Sequence, residues 1–427
     1  MPDDRDTLKL EYRGSTVTAT RRTVLSVCWS SVLLMMNGCS LLEISEQAKA
    51  VDGVSIVRGK IDSSIKGYPI YVAIYKQVGE IFERRDHSLV GETGRFEYRV
   101  VPNRFTLGAF VDLNRDGEYQ RNEPATYLGI ENRAPTVLDV LPNQVVDVPV
   151  LGIEGPIEIP DDFQIVNNDM SEARNLGRVV SFDDPVFDES ARSLGLWKPM
   201  DYIARFGGGL MFLEPYDPAK IPVLFVHGIG GSAIEFKTII DAMDRRRFQP
   251  WVMQYASGLR LATLSGYMDE ALARLQVQHR FTDMIVVAHS MGGMVTRSFV
   301  MQHRERRRPY RLRMVMTINS PIHGMDSAAV GVRYSPVVVS SWRDVAPDSA
   351  FVATYVDWKW PKDIPYHLIF SYLPSEEGDG VVPLSSQLSL SLQDEATRVL
   401  GFESEHSAIL TNAEFVRRFG QIISAYE

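Results

Sequence analysis

Cysteine is nearly absent from this chain: there are two in 427 residues, Cys28 and Cys39, both near the N-terminus. The body of the protein therefore has no thiols for a disulfide framework or a thiolate metal site, and its chemistry falls to Ser, His, Asp and Glu. Basic charge is also short. Forty-five Lys and Arg against 54 Asp and Glu leave a net charge of −9, which excludes nucleic acid as the main partner, because phosphate binding needs a basic footprint. Long apolar runs are missing too; the stretch at residues 23–36 is too short to span a bilayer comfortably. With 45% hydrophobic and 23% charged residues the composition is that of a globular protein, so neither wholesale disorder nor a polytopic membrane protein fits. What the chain does have is length, and at about 100 to 200 residues per domain it holds two or three domains.

The run TVLSVCWSSVLLMM at 23–36 follows Arg21 and Arg22 and ends in Asn37-Gly38-Cys39-Ser40. A basic flank, a short apolar stretch and small residues make a signal-peptide pattern. Met36-Asn37-Gly38-Cys39 resembles the bacterial lipobox, with Met36 in place of the usual Leu, and Ser40 resembles outer-membrane-sorted lipoproteins. The resemblance implies cleavage before Cys39, acylation of its thiol, and anchoring in the bacterial cell envelope at the outer membrane. Residues 1–38 are then a signal peptide and 39–53 a tether.

Residues 54–152 show short alternating apolar runs (VSIV, YPIYVAIY, GRFEYRVV, FTLGAFV, VVDVPVL) separated by Gly, Pro and Asn, the pattern of a small antiparallel sandwich. Within it, Asp112, Asn114 and Asp116 stand at loop positions 1, 3 and 5, with Gly117 at 6, Glu118 at 7 through its carbonyl, and Glu123 at 12. This register matches an EF-hand loop, and because the loop leaves a strand it more closely resembles calcium loops of extracellular β-modules. A structural calcium ion is expected there. Residues 153–217, rich in Pro and Gly, read as a linker segment to which no chemistry is assigned.

From residue 218 to the end, strand-like runs (PVLFV, PWVMQY, MIVVA, RMVMTI, YHLIF, RVLGF) alternate with amphipathic segments, giving an α/β domain with a mostly parallel sheet and helices on both faces. Leu261, Leu264, Met268, Leu272 and Leu275 recur on one helical face. Ala288-His289-Ser290-Met291-Gly292-Gly293 follows the strand MIVVA and precedes a helix-like segment. A serine on such a corner is held in a sharp bend with its hydroxyl exposed, which makes Ser290 the candidate nucleophile. Upstream, the strand VLFV ends in His227-Gly228-Ile229-Gly230-Gly231-Ser232. The backbone amides of Ile229 and Met291 are the candidate oxyanion donors, and His227 reads as a shaper of that loop.

With HGIGGS, AHSMGG, INSPIHG, GDGVVP and EHSAIL in this order, the chain from about Pro222 resembles the α/β-hydrolase superfamily, in particular its bacterial lipases and esterases. The resemblance implies an order of nucleophile, acid and base. Asp379 matches the acid position and His406 the base; Glu376 and Glu377 are the nearest substitutes for the acid, and His323 and His367 rival bases. Residues 324–365, with Trp342, Phe351, Tyr355, Trp358 and Trp360, form a cap insertion whose aromatics read first as cap core, and whose apolar character also suits acyl chains or other hydrophobic esters. Arg304 to Arg308 read as a solvated helix C-terminus. The expected function is hydrolysis of hydrophobic carboxylic esters or lipids through an acyl-enzyme, without a cofactor for catalysis; acyl transfer or amide hydrolysis on the same triad, or an inert surface scaffold, are the alternatives.

Overall fold

The computed structural model describes residues 7–12, 15–20, 38–91, 93–157, 165–166 and 175–426. Residues 7–12 and 15–20 pair as an antiparallel hairpin. The apolar run 23–36 lies outside the described residues, and among those described no helix is long and apolar enough to cross a membrane. Cys39 lies in the first turn of helix α1, Gly38–Asp52, where a loose tether was expected. Leu, Glu, Gln, Ala and Lys favour a helix here, and its side chains have partners. Ile44 packs with Trp197, Val337 and Val339, Glu43 pairs with Lys198, and Asp52 meets Arg343 at 2.9 Å and Arg260 at 3.5 Å.

The β-module packs two sheets. In one, Ser55–Ser63 pairs antiparallel with Arg95–Val100 and parallel with the short strands Val145–Asp147 and Leu151–Ile153. In the other, Ile70–Val78 lies between Ile81–Leu89 and Asn103–Val111, both antiparallel. Alternate residues such as Val57, Ile61, Val72, Ile74, Leu107 and Val111 meet between the sheets, as a period of two requires when one face is buried. Ile70–Val78 is buried on its other face too, where Ala73 and Tyr75 pack with Phe82 and Tyr127.

The loop Asp112–Glu123 closes on itself. Asp112 accepts from the amides of Arg115, Asp116 and Gly117 at 2.6, 3.2 and 2.9 Å, and Glu123 from those of Leu113 and Gln120 at 2.7 and 2.9 Å. Asp116 takes the side-chain amides of Asn114 and Gln120, and Glu118 pairs with Arg84. Among the described residues no three Asp, Glu, His or Cys side chains converge as metal ligands. The residues expected to hold calcium, Asp112, Asn114, Asp116, Glu118 and Glu123, form a hydrogen-bonded turn as arranged, in which backbone amides and Arg84 meet the carboxylates.

The C-terminal domain is built on a seven-stranded sheet: β1 Gly209–Phe212, β2 Ile221–Val226, β3 Phe248–Gln254, β4 Asp283–His289, β5 Arg311–Ile318, β6 Tyr366–Tyr372 and β7 Arg398–Glu403. The spatial order is β1-β3-β2-β4-β5-β6-β7, antiparallel only at the β1 edge. β1 lies inside the segment read as a linker and entry subdomain; four residues that begin with the last of three glycines are too few to show a period. Helix α2, Leu261–His279, buries Leu261, Leu264, Met268, Leu272 and Leu275 on one face of the sheet. Ile239, Ile240, Phe415 and Phe419 cover the other. The central strands are apolar on both sides, as buried parallel strands are.

The expected cap is three helices, α4 Asp326–Tyr334, α5 Ser340–Val345 and α6 Ala350–Asp357, between β5 and β6. Its aromatics are spent on packing. Phe351, Tyr355 and Trp360 are buried in the domain core, and Arg297 lies over Trp358 and Trp360 and donates to the carbonyls of Tyr355 and Trp358. The basic run at the end of helix α3, Met291–Arg306, is exposed as expected at Arg304, Glu305 and Arg307, but Arg308 differs. Its side chain is 1% exposed and pairs with Asp269, itself fully buried, at 2.6 Å; Arg306 meets the same carboxylate at 2.8 Å. Next to them Glu270 accepts the Leu89 amide of the β-module at 2.6 Å. This ion cluster seals the contact of module and C-terminal domain beside a cavity of about 730 Å³ that both line.

Candidate active site

β4 ends at His289, and Ser290 turns the chain into α3 with φ 54° and ψ −132°, a left-handed conformation a serine adopts only when its surroundings enforce it. They do. The Ser290 amide donates to the Ile318 carbonyl at 2.9 Å, and the residues around the bend leave no space. A Cβ on Gly292 would lie 2.4 Å from the Val226 carbonyl oxygen, and one on Gly228 would lie 2.7 Å from Ser290 Cβ. These glycines let strand, helix and the loop after β2 converge on the serine.

Ser290 Oγ lies 2.9 Å from His406 Nε2, and His406 Nδ1 lies 2.8 Å from Asp379 Oδ2. His406 follows β7 and Asp379 follows β6, so three loops at the strand C-terminal ends supply one line of hydrogen bonds. Asp379 is 1% exposed, and its charge is met by the amides of Val381 and Val382 at 2.9 and 2.7 Å and by Gln387 Nε2 at 3.1 Å. The substitutes lie elsewhere: Glu376 and Glu377 are exposed, His323 Nε2 meets Ser389 Oγ at 2.7 Å, and His367 Nε2 meets the Tyr426 hydroxyl at 2.7 Å. His227 is buried with Nδ1 2.8 Å from the Gly228 carbonyl, and stacks on Tyr255 at 4.1 Å. It shapes the loop.

Met291 is the first residue of α3, so its amide is among those a helix leaves without an internal acceptor. Ile229 follows Gly228, which touches Ser290, and the Gly230 amide is held by Ser257 Oγ at 2.9 Å. Both candidate oxyanion amides thus belong to backbone that flanks the serine. Ile229 and Val381 are 38% and 45% exposed; one sits in the loop against Ser290 and the other beside Asp379, giving the site apolar surroundings. Residues that sequence reasoning passed over also converge. Gln387 holds Asp379, Asn319 Nδ2 donates to the His406 carbonyl at 2.8 Å, and Glu235 faces His289 at 3.3 Å. Ser232 and Glu235 form a capping box, the one local signal that could have singled out Glu235.

A family model described as an alpha/beta hydrolase of unknown function (DUF915) matches residues 252–417. The matched stretch carries β4 to β7 with Ser290, Asp379 and His406 in that chain order. The fold is that of the α/β hydrolases. Among solved structures the chain is similar to a gene product of Listeria innocua, at 16% identity over 49% of this chain and 95% of that one, with a TM-score of 0.38. It is also similar to the mature form of the Bacillus licheniformis lipase BlEst2, at 16% identity over 50% and 94%, with a TM-score of 0.40. No curated protein matches the sequence.

Burial holds most histidines of the chain below their ordinary pKa: His303 and His367 are pushed down to about 4, and His87, His227, His279, His323 and His406 move the same way. Unfolded, each takes up its proton near pH 6.5; folded, each stays neutral to lower pH. Stability is therefore full above about pH 6.5 and is lost as the pH falls toward the folded values, about 4 for His303 and His367. Glu270, pushed up to about 7 by burial, and Asp344, also raised by burial, act in the opposite sense. With seven imidazoles against two carboxyls, Tm is expected to drop between pH 7 and pH 4.5 with net proton uptake on unfolding. A Tm that stays level across that range would contradict the balance. His406 is neutral at pH 7, the form able to take a proton.

Proposed function

We propose that the protein is a serine hydrolase that cleaves carboxylic esters with apolar acyl groups through an acyl-enzyme. The reading rests on the hydrogen-bonded line Ser290–His406–Asp379 ending in a serine at positive φ. Ser290 Oγ attacks the ester carbonyl as His406 Nε2 takes its proton, and Asp379 steadies the imidazolium through Nδ1. The oxyanion that forms is met by the amides of Ile229 and Met291. His406 returns the proton to the leaving alcohol; water, deprotonated by the same imidazole, then attacks the acyl-serine and releases the acid. The exposed Ile229 and Val381 favour an apolar acyl group.

An active-site fluorophosphonate applied to cell fractions tests this together with the expected anchor at Cys39. One labelled chain is expected in the membrane fraction, with the label on Ser290, competed away by a hydrophobic ester. Cys39→Ala should move the labelled chain to the soluble fraction. Absence of label would favour an inert scaffold, and label on another residue would overturn the assignment of the nucleophile.

A further inference from the structure

His289 ends β4 immediately before the nucleophile and is 2% exposed. Its Nε2 lies 3.1 Å from the backbone carbonyl of His406, and its Nδ1 lies 3.3 Å from Glu235 Oε2. The carbonyl only accepts, so Nε2 donates to it. The other oxygen of Glu235 takes the Ser232 amide at 2.8 Å. Burial pushes that carboxyl up, but His289, His227 and the Ser232 amide outweigh it and leave the group below its ordinary range.

The pair lies between two loops that must keep register for acyl transfer. On one side Glu235 belongs to the turn that follows the HGIGGS loop, and a Cβ on Gly231 would lie 2.1 Å from its Oε1, so the carboxylate is pressed against that loop. On the other side His289 holds the carbonyl of His406, which Asn319 also holds. We propose that Glu235 and His289 form a positioning pair that fixes the oxyanion loop and the base-bearing loop relative to each other around Ser290. The inference rests on the serine-hydrolase reading above and names residues for which that mechanism has no role.

The groups facing the pair are His227 at the end of β2, Tyr255 after β3, and His406 with Asp379 behind it; Arg192 acts on His227 from the helix Glu189–Trp197. The Tyr255 hydroxyl donates to the His227 carbonyl. His289 opposes protonation of His406, while Asp379 and Glu235 favour it.

The experiment uses the full chain and its best ester substrate. Glu235→Gln keeps an oxygen for the Ser232 amide but removes the carboxylate that His289 Nδ1 faces. Its kcat is expected to drop by about 10- to 100-fold, the scale of a misplacement of about 1 Å, with KM and Tm nearly unchanged. His289→Gln, which keeps a donor for the His406 carbonyl, should retain most of the activity that His289→Phe loses; this comparison serves if Glu235→Gln does not fold. Wild-type kcat in Glu235→Gln or equal losses in the two His289 variants overturns the proposal. Ser290→Ala separates the two readings: turnover that survives it sinks the serine mechanism, while turnover that it abolishes, with no loss in Glu235→Gln, sinks only the positioning pair.

Discussion

Ser290→Ala is expected to lower kcat for ester hydrolysis by about five to six orders of magnitude, the scale seen when the nucleophile of a serine triad is removed. The loss should be confined to chemistry. His406 keeps its bond to Asp379, and the fold keeps the glycine contacts that force the bend at residue 290. Alanine is as strained at φ 54° as serine, so the melting temperature should hardly move. Ser290→Gly makes the complementary case, because glycine adopts that φ without cost. It should be equally inactive but melt a few degrees higher, since strain of about 1 to 3 kcal/mol is released. Stopped ester turnover and differential scanning on the two variants read both quantities. Activity surviving in either variant would remove Ser290 from the mechanism, and a lower Tm in Ser290→Gly would mean that the bend is not strained.

The second large effect is on stability. Asp269→Ala leaves the Arg308 guanidinium, 1% exposed, without the carboxylate that meets it at 2.6 Å, and breaking a buried pair by removing one partner costs about 3 to 5 kcal/mol. Urea denaturation should show a loss of that size in the midpoint-derived free energy. Among the described residues Glu270 Oε2, 3.7 Å from the same guanidinium, is the carboxylate placed to take over, and burial makes its ionisation unfavourable. The double variant Asp269→Leu with Arg308→Met removes both charges and should recover most of the loss. If Asp269→Ala costs under about 1 kcal/mol, the pair behaves as a surface bridge does and the contact is not sealed.

Ser290 was legible because its signal is local: small residues on a strand-to-helix corner state their own geometry. The alternating runs of the module and the one-sided leucines of α2 were legible for the same reason. Arg308 was not, because its partner Asp269 lies 39 residues upstream and a run of arginines read alone looks solvated. Glu235 was hidden by a capping box, a local pattern that accounts for one carboxylate oxygen and says nothing of the other. In the loop Asp112–Glu123 the spacing suits a cation, but spacing does not reveal which backbone amides meet the carboxylates. β1 was missed because four residues carry too little periodicity, and its identity comes from its partner β3.

Helix α1 has a mechanical consequence. It is about 22 Å long at 1.5 Å per residue. Its first half is fastened by Glu43, Ile44 and Gln47 to residues 197–201, and its last residue by Asp52 to Arg260 and Arg343. A pull applied at residue 38 therefore finds no slack chain to extend before it reaches the C-terminal domain. It loads a stiff strut in shear, and the strut delivers that load to the cap helix α5, which carries Arg343, and to Arg260, the residue just before α2. Drag or crowding at the N-terminal end would act on the C-terminal half as torque on a rigid mount, not as tension along a leash.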